Sequence, residues 1–321
     1  MKNILVSTIN FKNKFFYFCF LPFIIPAIIL SSQEKTRLTF EVQTVIDLSG
    51  EGISQLENPQ SMSVSMMGDI YIADTGHNRI VKLDTKGKYI NHVGGFGWKN
   101  NQFDSPVDIF AVDGLNIYVA DLNNQRIQRY SKKLEYISSF GESKLTELSI
   151  DASRTSTEPL GFPSGLAVSS QGDLFYSDSE NDQIVKINRF GKKETAFGGF
   201  SEGRGTLRSP GKVFVTSRFV YVIDENRVIV FDYYGNYIRD IGANVLKKPA
   251  DITIDHKDRI YIAEKELRTI VVFDSAGKVM TSLMSFTFES PVSVDYSHNK
   301  LYVLDGKAAS IIVFNILESG D

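Results

Sequence analysis

Two aspartates, Asp108 and Asp251, hold one position of a sixfold pattern that is otherwise filled by Ser61, Gly165, Lys212 and Ser293. Each follows a proline by two residues, at the second and fifth of six recurrences. Paired carboxylates with hydroxyls nearby are hard oxygen ligands, suited to calcium held partly through water. Asp108 and Asp251 are therefore the candidate metal ligands, with calcium as the candidate ion. Lys212 in the same set opposes a strongly bound cation, and the alternative is a wet, polar passage with no ion. A second kind of chemistry lies in Phe96 and Trp98, the latter the only tryptophan, in the stretch from Gly94 to Pro106. Aromatic side chains on a connecting loop either form a recognition surface or pack beneath their own loop. The candidate ligand-binding residues are thus Phe96, Trp98, Asp108, Lys212 and Asp251. No catalytic residue is assigned.

The elements that position these residues are repeats. Six prolines, Pro59, Pro106, Pro163, Pro210, Pro249 and Pro291, recur at spacings of 47, 57, 47, 39 and 42 residues. Fourteen or fifteen residues after each comes an acid: Asp74, Asp121, Asp178, Asp224, Glu264 and Asp305. Three residues before each acid is an aromatic, from Tyr71 in the first repeat to Tyr302 in the sixth. In the first repeat, apolar alternation marks strands near 61–65, 69–73, 79–84 and 88–94, separated by Gly- and Asn-containing turns. Four short antiparallel strands at a period of 40–50 residues make one propeller blade. The expected fold is all-β, a six-bladed β-propeller of four-stranded antiparallel blades over residues 41–317. Residues 41–48 form a strand ahead of the first repeat and are expected to close the last blade, which removes an exposed edge.

In such a ring the blade connections, the turn after each acid and the residues just past each proline converge on one face, here termed the top. Any site is expected there. The acids, repeated in every blade, read as caps of the turns that follow them, with Arg79 and Arg126 as partners of small worth if exposed.

The string Ala73-Asp74-Thr75-Gly76-His77-Asn78-Arg79-Ile80-Val81 resembles the signature of the NHL-repeat family, and 120–127 and 178–184 repeat it. Glu264 and Ser310 depart from it in the last two repeats. The resemblance covers roughly residues 41–317 and implies the propeller fold. Because the family is functionally mixed, it implies no single activity. The zinc-dependent peptide-amidating lyase on this fold needs several channel histidines. His77, His92, His256 and His298 are expected on different turns and strands, so that activity is not implied.

The first 32 residues differ from the rest. Lys2, Lys12 and Lys14 precede an apolar run from Phe15 to Leu30, and Ser31 and Ser32 follow it. That order is the pattern of a secretory signal. At sixteen residues the run is shorter than the roughly 20 that span a bilayer, although a retained N-terminal anchor is the alternative. Residues 33–40 read as a linker and 318–321 as a tail. Cys19, the only cysteine, lies in the apolar run, so the remainder has no disulfide chemistry. Without residues 1–32 the balance is 32 basic against 38 acidic residues, a net charge of −6. An acidic domain is a poor partner for nucleic acid. Taken together, these features describe an exported, monomeric, non-catalytic scaffold, secreted or held in the cell envelope, that binds a protein or glycan through its top face. A calcium-assisted hydrolase or lyase in the channel is the alternative.

Overall fold

The computed structural model describes residues 37–49, 56–141, 160–201, 203–283 and 286–319. The N-terminal segment read as a signal or anchor lies outside these residues, as does the stretch 142–159 that precedes Pro163.

Every described strand joins one of six four-stranded antiparallel sheets, and in five of them the strands follow chain order from inner to outer. Blade 1 consists of Ser61–Val64, Ile70–Asp74, Arg79–Leu83 and Tyr89–Gly94. The expected six-bladed propeller is the observed fold. Position within a blade explains the pattern of each strand. Ile70–Asp74 is buried at all five residues, because neighbouring blades cover both faces of the sheet and alternation is lost. The outer strand Tyr89–Gly94 alternates half-buried and exposed side chains, since only part of it lies against a neighbour.

The sixth blade is closed by the chain's own start. Arg37–Asp47 pairs antiparallel with Ser310–Ser319, with Ile46 opposite Ile311 and Phe40 opposite Ile316. The strand therefore begins inside the stretch read as linker, and its partner runs on into the stretch read as tail. Leu38 and Phe40 explain the first extension: both pack with Tyr261, Val303 and Phe314 between the last two blades. Glu318 explains the second. It accepts from Lys257 at 2.8 Å and from Arg259 at 2.8 Å, tying the C-terminal strand to blade 5.

The core is divided among the blade junctions. Each of six apolar clusters joins two adjacent blades, from Met62 and Ile72 with Val292 and Leu304 at the 6/1 junction to Leu166 and Tyr176 with Ala120 and Ile127 at the 2/3 junction. Burial of this size is the main favourable term in folding. Its distribution around the ring makes every blade depend on two neighbours.

Candidate functional site

Inner strands face the channel, and five of them carry a register shift just after their first residue, as between Pro106 and Asp108 and between Pro249 and Asp251. Such bulges re-aim side chains. Here they turn the residue two past each proline toward the adjoining blades. Inner strands of different blades share no sheet, so their outward N–H groups would be orphaned without side-chain acceptors.

Those acceptors are the channel residues. Asp108 Oδ2 accepts from Leu166 N of blade 3 at 2.7 Å, and its Oδ1 from Ser61 Oγ of blade 1 at 2.7 Å. Lys212 reaches across from blade 4, donating to Asp108 Oδ1 and, at 3.1 Å, to Val107 O. Asp251 accepts from Val294 N of blade 6 at 3.0 Å and from Ser293 Oγ. Ser293 in turn accepts from Met62 N of blade 1 at 3.0 Å. One level deeper, Asp295 accepts from Val64 N at 2.6 Å, and Ser63 Oγ from Ala111 N at 3.1 Å. Asp295 follows Ser293 by two residues, so it shares that residue's face of the strand; strand periodicity was the signal that would have found it.

The 3/4 junction is built differently. Gly165 offers no acceptor, and a Cβ there would lie 2.3 Å from Gly211 O and 2.8 Å from Lys212 Cα. Backbone meets backbone at this point, and only glycine fits.

Burial pushes the Asp251 carboxyl up to about 6. Lys212 opposes the shift and Asp108 adds to it. Burial pushes Asp295 up to about 7, with Asp251 contributing in the same direction. Asp295 retains partial solvent access while enclosed by protein on its other sides, as expected of a group facing a narrow wet channel. The cavity bounded by Ser63, Asp108, Phe110, Lys212, Phe214 and Asp295 holds about 50 Å³. That is room for a few waters, each needing at least ~10–15 Å³ on this measure. As for the proposed calcium ligands, Asp108 and Asp251 do line one ring, and the Lys212 ammonium occupies Asp108. No three His, Cys, Asp or Glu side chains converge as metal ligands among the described residues.

The histidines stay apart. His77 contacts Asp74, His92 contacts Tyr89, His256 contacts Tyr296 and His298 contacts Ser297.

On the top face five of the six repeated acids do more than cap. Asp178 accepts from Glu180 N at 3.1 Å, in the turn that follows it. Five others reach 15 to 17 residues back to the incoming blade connection. Asp74 takes Glu57 N at 2.7 Å, Asp121 takes Asp104 N at 2.8 Å, and Asp224 takes Arg208 N at 2.8 Å. These carboxylates fasten each connection to its blade. The arginines are not exposed partners either: Arg79 Nε meets Asp74 at 2.6 Å and Arg126 Nε meets Asp121 at 2.8 Å, with all four side chains largely or fully buried.

Arg126 also builds the loop that carries the aromatics. Its guanidinium donates to Trp98 O at 2.7 Å, Lys99 O at 3.0 Å and Gln102 O at 2.9 Å. Gln128 Nε2 joins it at Gln102 O at 2.7 Å, and Asn124 Nδ2 donates to Gly97 O at 2.8 Å. Phe103 is fully buried beneath, bonded through its backbone to Gly95 and Gly97. Phe96 and Trp98 point away and are 70% and 72% exposed. Of the two readings of Trp98, packing under the loop is overturned, because Phe103 fills that place. Phe200 stands at the equivalent position ten residues before Pro210 and is 99% exposed.

No family model matches the chain. Among curated proteins it is 29% identical over 123 residues to "Protein brain tumor" of Drosophila melanogaster, covering 37% of this chain and 12% of that protein. It is 29% identical over 127 residues to "B-box type zinc finger protein ncl-1" of Caenorhabditis elegans, covering 37% of this chain and 14% of that one. These similarities are consistent with NHL-type repeats. The match spans about an eighth of those relatives' length. Among solved structures, a streptogramin B lyase aligns with a TM-score of 0.58 at 13% identity, covering 87% of this chain and 98% of that one. A virginiamycin B lyase from Staphylococcus aureus aligns at 0.57 and 16%, covering 88% of each chain. A protein of unknown function from Bacteroides thetaiotaomicron aligns at 0.61 and 12%, covering 88% of this chain and 77% of that one. At such identities the likeness is one of fold.

Proposed function

We propose that this chain is an exported NHL-type propeller that acts as a binding scaffold and engages a protein or glycan through its top face, with Phe96 and Trp98 as anchors. The observation that carries this reading is a pair of large exposed aromatics on a loop whose backbone is fixed by Arg126, Asn124 and Gln128. Exposed aromatics on a fixed backbone lose little freedom on binding, and such anchors dominate interface energetics. A channel with room for a few waters favours recognition on the face over a substrate inside. Export rests on residues 15–30, and the mass of the mature N-terminus tests whether they are removed.

The binding reading is tested by placing a photo-crosslinking residue at position 98 in the full chain, in the cells that make it. A matched chain carries the crosslinker at Tyr234, which lies in a third-to-fourth-strand turn on the opposite face. A discrete adduct at 98, lost on Phe96→Ala and absent at 234, is the expected outcome. The same adducts at both positions, or none at 98, would overturn the assignment.

A further inference from the structure

The first-to-second and third-to-fourth turns of every blade end on the face opposite the top, and blades 1 and 2 expose apolar side chains there. Met66 and Met67 lie in the first-to-second turn of blade 1, Val112 and Leu115 in that of blade 2, and all four are 44–63% exposed. The two turns touch. Met66 N donates to Val112 O at 3.1 Å, and a Cβ on Gly114 would lie 3.3 Å from Met66 Cγ and 3.5 Å from Met67 Cγ. The methionines therefore lie against the blade 2 turn, and the four residues form one patch. Lysines rim it. Lys86 and Lys88 belong to the third-to-fourth turn of blade 1, which packs beside Met67: a Cβ on Gly68 would lie 2.8 Å from Thr85 Cγ2. Lys132 and Lys133 belong to the same turn of blade 2. Lys132 O accepts from Lys82 Nζ at 2.8 Å, and Lys82 also meets Asp69, two residues past Met67, at 2.8 Å. All four rim lysines are exposed, and their ammonium groups make no hydrogen bond or ion pair among the described residues. The neighbouring acids are engaged within their own turns. Asp84 accepts from Lys86 N at 2.8 Å, Asp113 from Leu115 N at 2.9 Å, and Glu135 from Ser131 Oγ at 3.2 Å.

We propose that this face of blades 1 and 2 docks on an anionic lipid bilayer. Met66, Met67, Val112 and Leu115 enter the headgroup boundary, and the rim lysines meet the lipid charges. Apolar burial and attraction to anionic headgroups add in interfacial binding, which needs both kinds of side chain on one surface. Unbranched methionines adapt to a fluid surface, and lysine is depleted at protein interfaces, so a bilayer fits the patch better than a second protein. The described chain also starts on this face. Arg37 pairs with Ser319 at the lower end of blade 6, and the apolar run 15–30 is close upstream in sequence. Docking in this way leaves Phe96 and Trp98 directed away from the bilayer, and it does not depend on what they bind.

The test places an environment-sensitive fluorescent residue at position 67 and, in a matched chain, at position 200 on the top face. The full chain is used as recovered from the cells that make it. It is titrated with vesicles of phosphatidylcholine alone, with vesicles that also contain phosphatidylserine, and with dextran sulfate as a soluble polyanion. The expected result is a blue shift at position 67 that saturates with the anionic vesicles and is quenched by bromine on the acyl chains. Position 200 should not respond. Lys132→Gln/Lys133→Gln should weaken the response by about fivefold for each lysine removed. Leu115→Asp should abolish it while leaving the thermal midpoint unchanged. No shift at 67, the same shift at both positions, or an equal response to phosphatidylcholine alone would overturn the proposal. A shift with dextran sulfate matching that with vesicles would assign the lysines to a soluble polyanion and overturn it as well.

Discussion

In the channel, Asp108, Asp251 and Asp295 direct their oxygens to neighbouring blades, and the inner wall is held by side chains. In the loop from Gly95 to Ser105 the arrangement is reversed. There the backbone carbonyls are bound by buried side chains, and Phe96 and Trp98 are left to solvent. Polar groups already committed to holding a wall have little capacity left for a ligand, whereas a fixed backbone presenting free side chains is prepared for one. The two regions look equally promising when their residue types alone are considered. What separates them is the number of hydrogen bonds each side chain has already made.

Substitutions can break this contrast from either side. The largest effect is expected from Arg126→Ala. It removes a buried partner of Asp121 and three carbonyl bonds at once, and breaking a buried pair costs about 3–5 kcal/mol. Denaturant unfolding should register that loss, and position 98 should lose its crosslink in the same variant. Next comes Gly165→Ala, where the added Cβ meets the blade 4 backbone. Overpacking of this kind costs about 1–3 kcal/mol, read by the same unfolding experiment. A Gly165→Ala chain of unchanged stability would show that the 3/4 junction is looser than described.

Asp295→Asn should act in the opposite direction. The folded-state pKa of about 7 lies above the unfolded value near 3.9. The folded state therefore holds its proton where the unfolded state has released it, and stability declines as pH rises from about 4 to about 7. Asp251 adds a similar decline that ends near its pKa of about 6. Asn at 295 still offers an oxygen to Val64 N and carries no charge, so the variant should gain about 1–2 kcal/mol at pH 8 and lose the upper part of this slope. Thermal midpoints between pH 5 and pH 8 check both. An unchanged slope would mean that Asp295 is better hydrated than its enclosure indicates. Smallest of all is the expected effect of calcium on the chelator-stripped chain. With Lys212 on Asp108, the midpoint should stay put across concentrations at which a folded-state ligand would raise it.

The fold was written plainly in the sequence, because proline, aromatic and acid recur in register at Pro59, Tyr71 and Asp74 and in five further repeats. The closing strand was legible from its apolar alternation, although its start at Arg37 was not. Polar residues such as Arg37, Thr39 and Glu41 look like linker until Leu38 and Phe40 find their partners in the last two blades. The site was legible only in part. Asp108, Asp251 and Lys212 were visible as exceptions to a repeat, but the reach of Lys212 from blade 4 to blade 2 depends on channel width, which no local pattern encodes. Likewise, the acids read as caps of their own turns because local hydrogen bonds are what a sequence displays. The bonds that five of them make to backbone 15 to 17 residues upstream appear only once each connection has folded back over its blade.

The most direct test pairs two readings on one protein, the Phe96→Ala/Trp98→Ala double variant. Its stability is measured by denaturant unfolding and its affinity against whatever protein or glycan is captured at position 98. The account predicts a stability change within about 0.5 kcal/mol, as for other exposed substitutions, together with at least a tenfold loss of affinity, about 1.4 kcal/mol. Unchanged affinity would contradict the central claim. A marked fall in stability would do so as well, because it would mean that the two aromatics hold the loop together instead of presenting it.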